Sequence, residues 1–484
     1  MRAGLGFALV VATGCVSQPM GGVHIPAWVS DTSSYGTAAA TEGPIADRSQ
    51  AVASKIIAAA RADRGAYAKL AQLTDGIGHR LSGSHELELA IAWAQRTLEA
   101  DGHTVRTEPV MVPHWVRGAE DAAIVSSAPN GTPSPVGSPL HIIGLGGTVP
   151  TPKGGLVAQV VVVRSWDELE HTDVKGKLVL FDVAMPPWTE ANGSGYGDVA
   201  PFRSRGPSRA AKAGAVGVLM RSITAHSLRL PHTGAVNYDP AQPKIPAAAV
   251  TVEDSLRLVR LAAQGPVMVR LHLESQQLPD AASANVIGEL RGRDKPDEIV
   301  VLGAHLDSWD VGQGAHDDGA GVVTMMQALT TLRRLGLTPR RTIRVVLFTN
   351  EENGLRGGKG YALAHASELA RTVLAVESDS GGFAPRGFSV ETKPELTAAA
   401  VARFGKIATL LGPINATRVI AGHGGSDISP MVEAGVPTLG LDVDNRTYFD
   451  IHHTEADTLD KVDPAQLADD VAAVAVLAYI VADE

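Results

Sequence analysis

Five times along the chain a cluster of carboxylates and imidazoles appears, and most of these clusters follow a short apolar run of strand character. His305 and Asp307 follow Glu298–Gly303. Asp317 and Asp318 lie in a glycine-rich stretch, 314–321. Glu351 and Glu352 follow Thr342–Phe348, Glu377 and Asp379 follow Thr372–Val376, and His452, His453, Glu455 and Asp457 come near the end. The runs are rich in Val, Ile and Leu, as in strands buried on both faces, and an amphipathic helix is predicted over 319–335 between two of them. The pattern predicts an α/β fold: a mostly parallel mixed sheet with helices on both faces. Reactive groups in such sheets gather beyond the carboxyl ends of the strands, which is where these clusters fall. Several carboxylates brought together repel one another unless cations neutralise them. Two divalent metals do this naturally, and one carboxylate must then bridge both.

The metal type follows from what the chain lacks. Its one cysteine, Cys15, excludes an intramolecular disulfide and a thiolate zinc module, so the ligands must be His, Asp and Glu. Carboxylates and imidazoles without thiolates suit zinc in an open catalytic site. A net charge of −10 gives no footprint for nucleic acid.

At 484 residues, two domains are expected. Residues 1–15 read as a signal peptide with a lipobox-like end at Cys15, and 16–45 as a flexible tether. That predicts export, as a periplasmic or cell-envelope lipoprotein or a secreted protein, with membrane contact only through a lipid on Cys15. Residues 46–115 and 283–484 read as the main domain. Between them, 116–282 changes texture: Pro and Gly rise at 128–155, strands are predicted at Val157–Val163 and Lys177–Val183, then a helix near 208–214 and a strand at Val216–Met220. This predicts a separate β-rich insert.

Longer phrases carry a resemblance. They are Gly78-His79-Arg80-Leu81-Ser82-Gly83-Ser84, Pro113-His114-Trp115, Pro231-His232-Thr233-Gly234, Pro243-Lys244-Ile245-Pro246, and the run from His305 to Ala315. With the C-terminal clusters, they make the chain resemble the co-catalytic zinc aminopeptidase and glutamate carboxypeptidase family, in its plasma glutamate carboxypeptidase branch. The resemblance implies a zinc exopeptidase fold with an inserted protease-associated domain, and two zinc ions per chain. It implies that His305 and Asp379 bind one zinc, Glu352 and His453 the other, and that Asp317 bridges them. Glu351 would be the general base; neighbouring residues on extended backbone point opposite ways, so Glu351 and Glu352 can divide the two tasks. The Asp317–Asp318 peptide is expected to be cis.

Further roles are expected around this core. Asp307, two positions from His305, is expected to accept its second ring proton. Tyr448, just upstream of His453, is an expected oxyanion donor. His423 and Ser426 lie in a glycine-rich loop expected to meet a substrate terminus, and His232 is expected to reach across from the insert. His452 suits the metal less well than His453. The implied substrates are dipeptides or short peptides, cut by a dipeptidase, aminopeptidase or carboxypeptidase, and the implied assembly is a homodimer. Two alternatives remain: a glutaminyl-cyclase-like acyltransferase with one metal, and a non-catalytic, receptor-like binding protein. The complete ligand set and the presence of Glu351 disfavour both.

Overall fold

The structure, a computed structural model, describes residues 43–126, 137–190 and 193–484. The signal-like stretch, Cys15 and most of the tether lie outside the described residues. The strands in chain order are β1 (Thr104–Val116), β2 (Glu120–Ser126), β3 (Ser138–Leu140), β4 (Ile142–Gly144), β5 (Leu156–Val163), β6 (Leu178–Phe181), β7 (Gly217–Arg221), β8 (Ala247–Val250) and β9 (Met268–Leu273). They continue with β10 (Gln276–Leu290), β11 (Lys295–His305), β12 (Arg341–Phe348), β13 (Thr372–Glu377), β14 (Pro385–Glu391), β15 (Arg418–Ala421) and β16 (Thr438–Val443). β1 and β10–β16 form one eight-stranded sheet in the order β1-β10-β12-β11-β13-β16-β14-β15, and β2–β9 form a second.

The larger sheet is mixed. β12, β11, β13 and β16 run parallel at its centre, while β10 and β14 run antiparallel beside them. Side chains alternate across a strand, so the unbroken apolar run of β11 serves two cores. Val300, Leu302 and Ala304 pack with the helices Ala320–Arg334 and Pro464–Asp483, while Ile299 and Val301 pack with Tyr361 and Met431 on the other face. Truncating a side chain such as the fully buried Leu302 to Ala is expected to cost ~2–5 kcal/mol. The helix Pro464–Asp483 is long and apolar enough to span a membrane by composition, but most of it is buried in this core.

Local rules hold the entry to this domain. In the helix His85–Ala100, Ser84 caps the N-terminus by accepting from the Leu87 amide at 3.1 Å, and Leu87, Ile91, Ala94 and Leu98 form its buried stripe. The chain leaves the larger sheet after Val116 and returns at Gln276, earlier than the 283 expected, because β10 pairs with β1 from Gln276 to Glu289, with one break in register. The first residues of β10 are largely exposed and polar and include Pro279, so they carry no strand pattern.

Candidate metal centre and cleft

The central parallel strands deliver the side chains. His305 is the last residue of β11, Glu351 and Glu352 lie in the turn after β12, and Asp379 lies just beyond β13. His453 follows the short helix Tyr448–Ile451 after β16 and adopts a positive φ of 60°. Asp317 comes from the segment leading into the helix Ala320–Arg334, and the Asp317–Asp318 peptide is cis.

Asp317 stands at the middle. Its Oδ1 lies 3.3 Å from His305 Nε2, and its Oδ2 lies 3.1 Å from His453 Nε2. Asp379 Oδ1 is 3.4 Å from His305 Nε2, and Glu352 Oε2 is 3.2 Å from His453 Nε2. The structure therefore brings together all five residues expected to bind metal, in two groups that share Asp317. Donor atoms of His305, Asp317 and Glu352 lie within 4.8 Å of one another, as do those of His305, Asp318 and Asp379, and those of Asp317, His452 and His453.

Polar satisfaction tests whether metals fit. His305 Nε2, Asp317 Oδ2 and Glu352 Oε1 are buried and make no hydrogen bond. Such atoms are destabilising unless a partner is supplied. Nitrogen and carboxylate oxygen donors converging without thiolates fit a zinc-type ion. The electrostatics agree. Burial alone would lower His305, but the Asp379 and Asp317 carboxylates hold its pKa well above the usual histidine value. Burial, with the charge of Asp317, pushes Glu352 up to about 7. The carboxylates recruit whatever positive charge is within reach.

A second layer fixes the first. His305 Nδ1 donates to the backbone carbonyl of Asp307 at 3.0 Å, leaving Nε2 free to ligate. This corrects the expectation for Asp307: its carboxylate stands 3.9 Å from that nitrogen and instead accepts from the Glu351 amide at 3.1 Å and from Ser82 Oγ at 3.2 Å. Asp318 accepts from the amides of His305 and Gly321, and Asp457 from those of His316 and Asp317. Arg80, fully buried, donates to the carbonyls of Leu306, Gly78, Gln313 and Gly314, tying together the loops on either side of the centre.

The centre opens into a cleft of about 650 Å³. Asp317, Glu351, Glu352, Asp379, Tyr448, His452 and His453 line it from the larger sheet, and Tyr196, Arg203, Ala235 and Asn237 from the insert. Burial raises the Glu351 carboxyl well above the usual range, and Asp379, Glu352 and Asp307 push the same way against His305. Tyr448 is buried against Phe383 and Phe449 and borders the cleft. His423 and Ser426 also border it, with His423 Nδ1 2.9 Å from Glu391. His452 stacks on His453 with ring centroids 3.5 Å apart, and its Nε2 is 3.5 Å from Asp317.

His232 reaches from the insert to a loop carbonyl rather than into the cleft. It does not line the cleft; it is buried, with Nδ1 2.8 Å from the carbonyl of His452. Next to it, the Thr233 amide donates to the His453 carbonyl at 3.0 Å, and His453 Nδ1 reaches the Thr233 carbonyl at 3.3 Å. The Pro-His-Thr-Gly phrase thus clasps the loop that carries His453 through the His232 ring and the Thr233 backbone. Sequence reasoning quoted Arg80, Asp318 and Asp457 inside motifs without giving them roles, and it passed over Arg203 altogether.

Comparison with known proteins agrees with this geometry. The profile of "Peptidase family M28" matches residues 285–478. Carboxypeptidase Q of Mus musculus is 39% identical over 421 residues, covering 86% of this chain and 85% of that protein. The crystal structure of a peptidase M28 precursor from Shewanella amazonensis superposes with a TM-score of 0.84 at 37% identity, covering 90% of this chain and 97% of the other. A zinc aminopeptidase from Bacillus subtilis shares the fold, with a TM-score of 0.62 at 21% identity over 87% of this chain and 95% of its own.

Proposed function

The chain belongs to peptidase family M28 and is a metallopeptidase, and we propose that it is a two-zinc exopeptidase cutting dipeptides or short peptides. The observation that carries the reading is the Asp317 carboxylate, which turns one oxygen to His305 and the other to His453. On this reading His305 and Asp379 hold one ion, Glu352 and His453 the other, and Asp317 both. The related carboxypeptidase Q and the zinc aminopeptidase of the same fold support the metal and the reaction class. The β2–β9 sheet is read as the protease-associated insert.

Bound zinc supplies Lewis acidity, polarising the scissile carbonyl and lowering the pKa of water. The chain's own residues do the rest. Glu351 borders the cleft beside the proposed ligands and makes no ion pair among the described residues, so on this reading a carboxylate oxygen takes the proton of the attacking water and returns it to the departing amine nitrogen. Asp307 holds the Glu351 backbone through its amide, which keeps that carboxylate aimed. On this reading Tyr448, which borders the cleft, donates its hydroxyl proton in a hydrogen bond to the oxygen that gains charge.

Glu351→Gln tests the reading on a panel of dipeptides followed by amine release. The variant is expected to keep its fold and metal and to lose about 10²–10⁴-fold in kcat. Turnover at the wild-type rate would remove Glu351 as the base.

A further inference from the structure

The two imidazoles that meet Asp317 are held from different places. His305 Nδ1 donates to the carbonyl of Asp307, two residues along its own loop. His453 Nδ1 turns instead to the insert, where the Thr233 carbonyl stands 3.3 Å away. A carbonyl can only accept, so Nδ1 carries the proton and Nε2 is left to ligate. The backbone of His453 is held from the same side. Its φ of 60° is left-handed, a conformation that a residue other than glycine keeps only where its surroundings fix it. The Thr233 amide donates to the His453 carbonyl at 3.0 Å, and the His232 ring, buried beside it, donates to the His452 carbonyl at 2.8 Å.

The phrase that does this is itself fixed in the insert. The His232 amide donates to Ser222 Oγ at 3.0 Å, and Thr233 Oγ1 to the Gly144 carbonyl at 2.9 Å. The grip extends along the segment that carries Tyr448 and His453. Trp188 Nε1 donates to Asn445 Oδ1 at 3.1 Å, and His226 Nδ1 lies 2.6 Å from Asp450 Oδ1. The groups behind His305 and Asp317, by contrast, are Asp307, Asp318, Asp457 and Arg80, all in the larger-sheet domain.

We propose that the insert is a positioning part of the metal centre. By fixing His453 through His232 and Thr233, it sets the affinity for the ion shared by His453, Glu352 and Asp317, and leaves the affinity of the His305 side nearly untouched. The inference rests on the two-zinc reading above and adds the control of one of its sites. Binding free energies couple reciprocally, so the same ion tightens the docking of the insert. An insert lifted from this segment releases one ion and halts turnover with the other still in place.

The test is zinc content after dialysis of the full chain against graded chelator, for wild type, His232→Leu and His232→Asn, with melting curves for each. Leu removes the donor to the His452 carbonyl, and Asn restores a side-chain N–H. His232→Leu is expected to release one ion at a chelator concentration about 10–100-fold lower than wild type and to keep the other as wild type does, with His232→Asn between them. Amide hydrogen exchange reads the reciprocal effect: residues 232–236 of wild type are expected to exchange faster with one ion bound than with two. The proposal is overturned if both ions weaken together in His232→Leu, if neither does, or if exchange at 232–236 ignores the second ion. An Asn variant no better than Leu also overturns it. If His232→Leu melts early, the wild-type exchange decides. A wild type that saturates at one ion sinks the two-zinc reading itself, whereas two ions that both ignore His232→Leu sink only the role of the insert.

Discussion

Two knots of buried charge lie side by side in this protein and are resolved in opposite ways. Around Arg80, a guanidinium removed from water meets four backbone carbonyls, and the protein satisfies it alone. Around Asp317, carboxylates and imidazoles removed from the same water leave His305 Nε2, Asp317 Oδ2 and Glu352 Oε1 without hydrogen bonds. The loops that Arg80 ties, at Leu306 and Gly314, are the loops that carry His305 and Asp317. The comparison teaches a rule: internally satisfied charge is scaffold, and buried charge left open marks where a ligand completes the structure.

The comparison breaks first at the open knot. Stripping metal with a chelator is expected to abolish peptide hydrolysis and to lower the melting temperature, with both restored by zinc. Ligand held at about 100 times its Kd contributes ~2.7 kcal/mol of stability, which calorimetry would register. An unchanged melting curve after complete stripping would mean the open atoms are not completed by metal.

The closed knot should respond through the fold. Arg80→Met removes the donor of the Leu306, Gly78 and Gln313 carbonyls and one of the two at Gly314, and is expected to destabilise the chain by ~3–5 kcal/mol in denaturant titrations. Activity should fall because the loops move. A variant as stable as wild type would show that Arg80 is not the tie it looks to be.

A half-buried case sharpens the contrast with the smallest effect. His365 bonds Glu108 through one ring nitrogen and Glu368 through the other, at 3.0 and 2.9 Å. The Glu108 hydrogen bond leads in raising its pKa above the usual value. A folded pKa above the unfolded value of about 6.5 makes its contribution complete below that pH and lost as pH rises through the folded value. Between about pH 6 and about pH 9, wild type should lose up to ~1 kcal/mol that His365→Gln does not lose. Parallel pH profiles for the two would contradict this.

Much of this was legible in the sequence, for identifiable reasons. The central strands are buried on both faces, so their apolar runs stand out, and the residues that follow them fall at the sheet's rim. That is why His305, Asp317, Glu352, Asp379 and His453 were readable as a set. The less legible elements are those whose roles depend on partners distant in sequence. β10 begins in a polar, exposed stretch; β14 and β15 lie at the sheet's far side and are short or broken by Gly387, which has a φ of 145°. Asp307 was given a side-chain task that its backbone carbonyl performs, and the His232 ring meets a loop carbonyl rather than the cleft. Arg203 looks like any helix arginine until the fold sets it at the cleft, with no ion pair among the described residues.

The central claim, that Asp317 lies between two metal ions, is tested most directly by the metal content of the intact purified chain. The account predicts about two zinc ions per chain in the wild type, and loss of both in Asp317→Ala with the fold intact by circular dichroism. A wild-type chain that saturates at one ion, or an Asp317→Ala variant that still holds two, would contradict it.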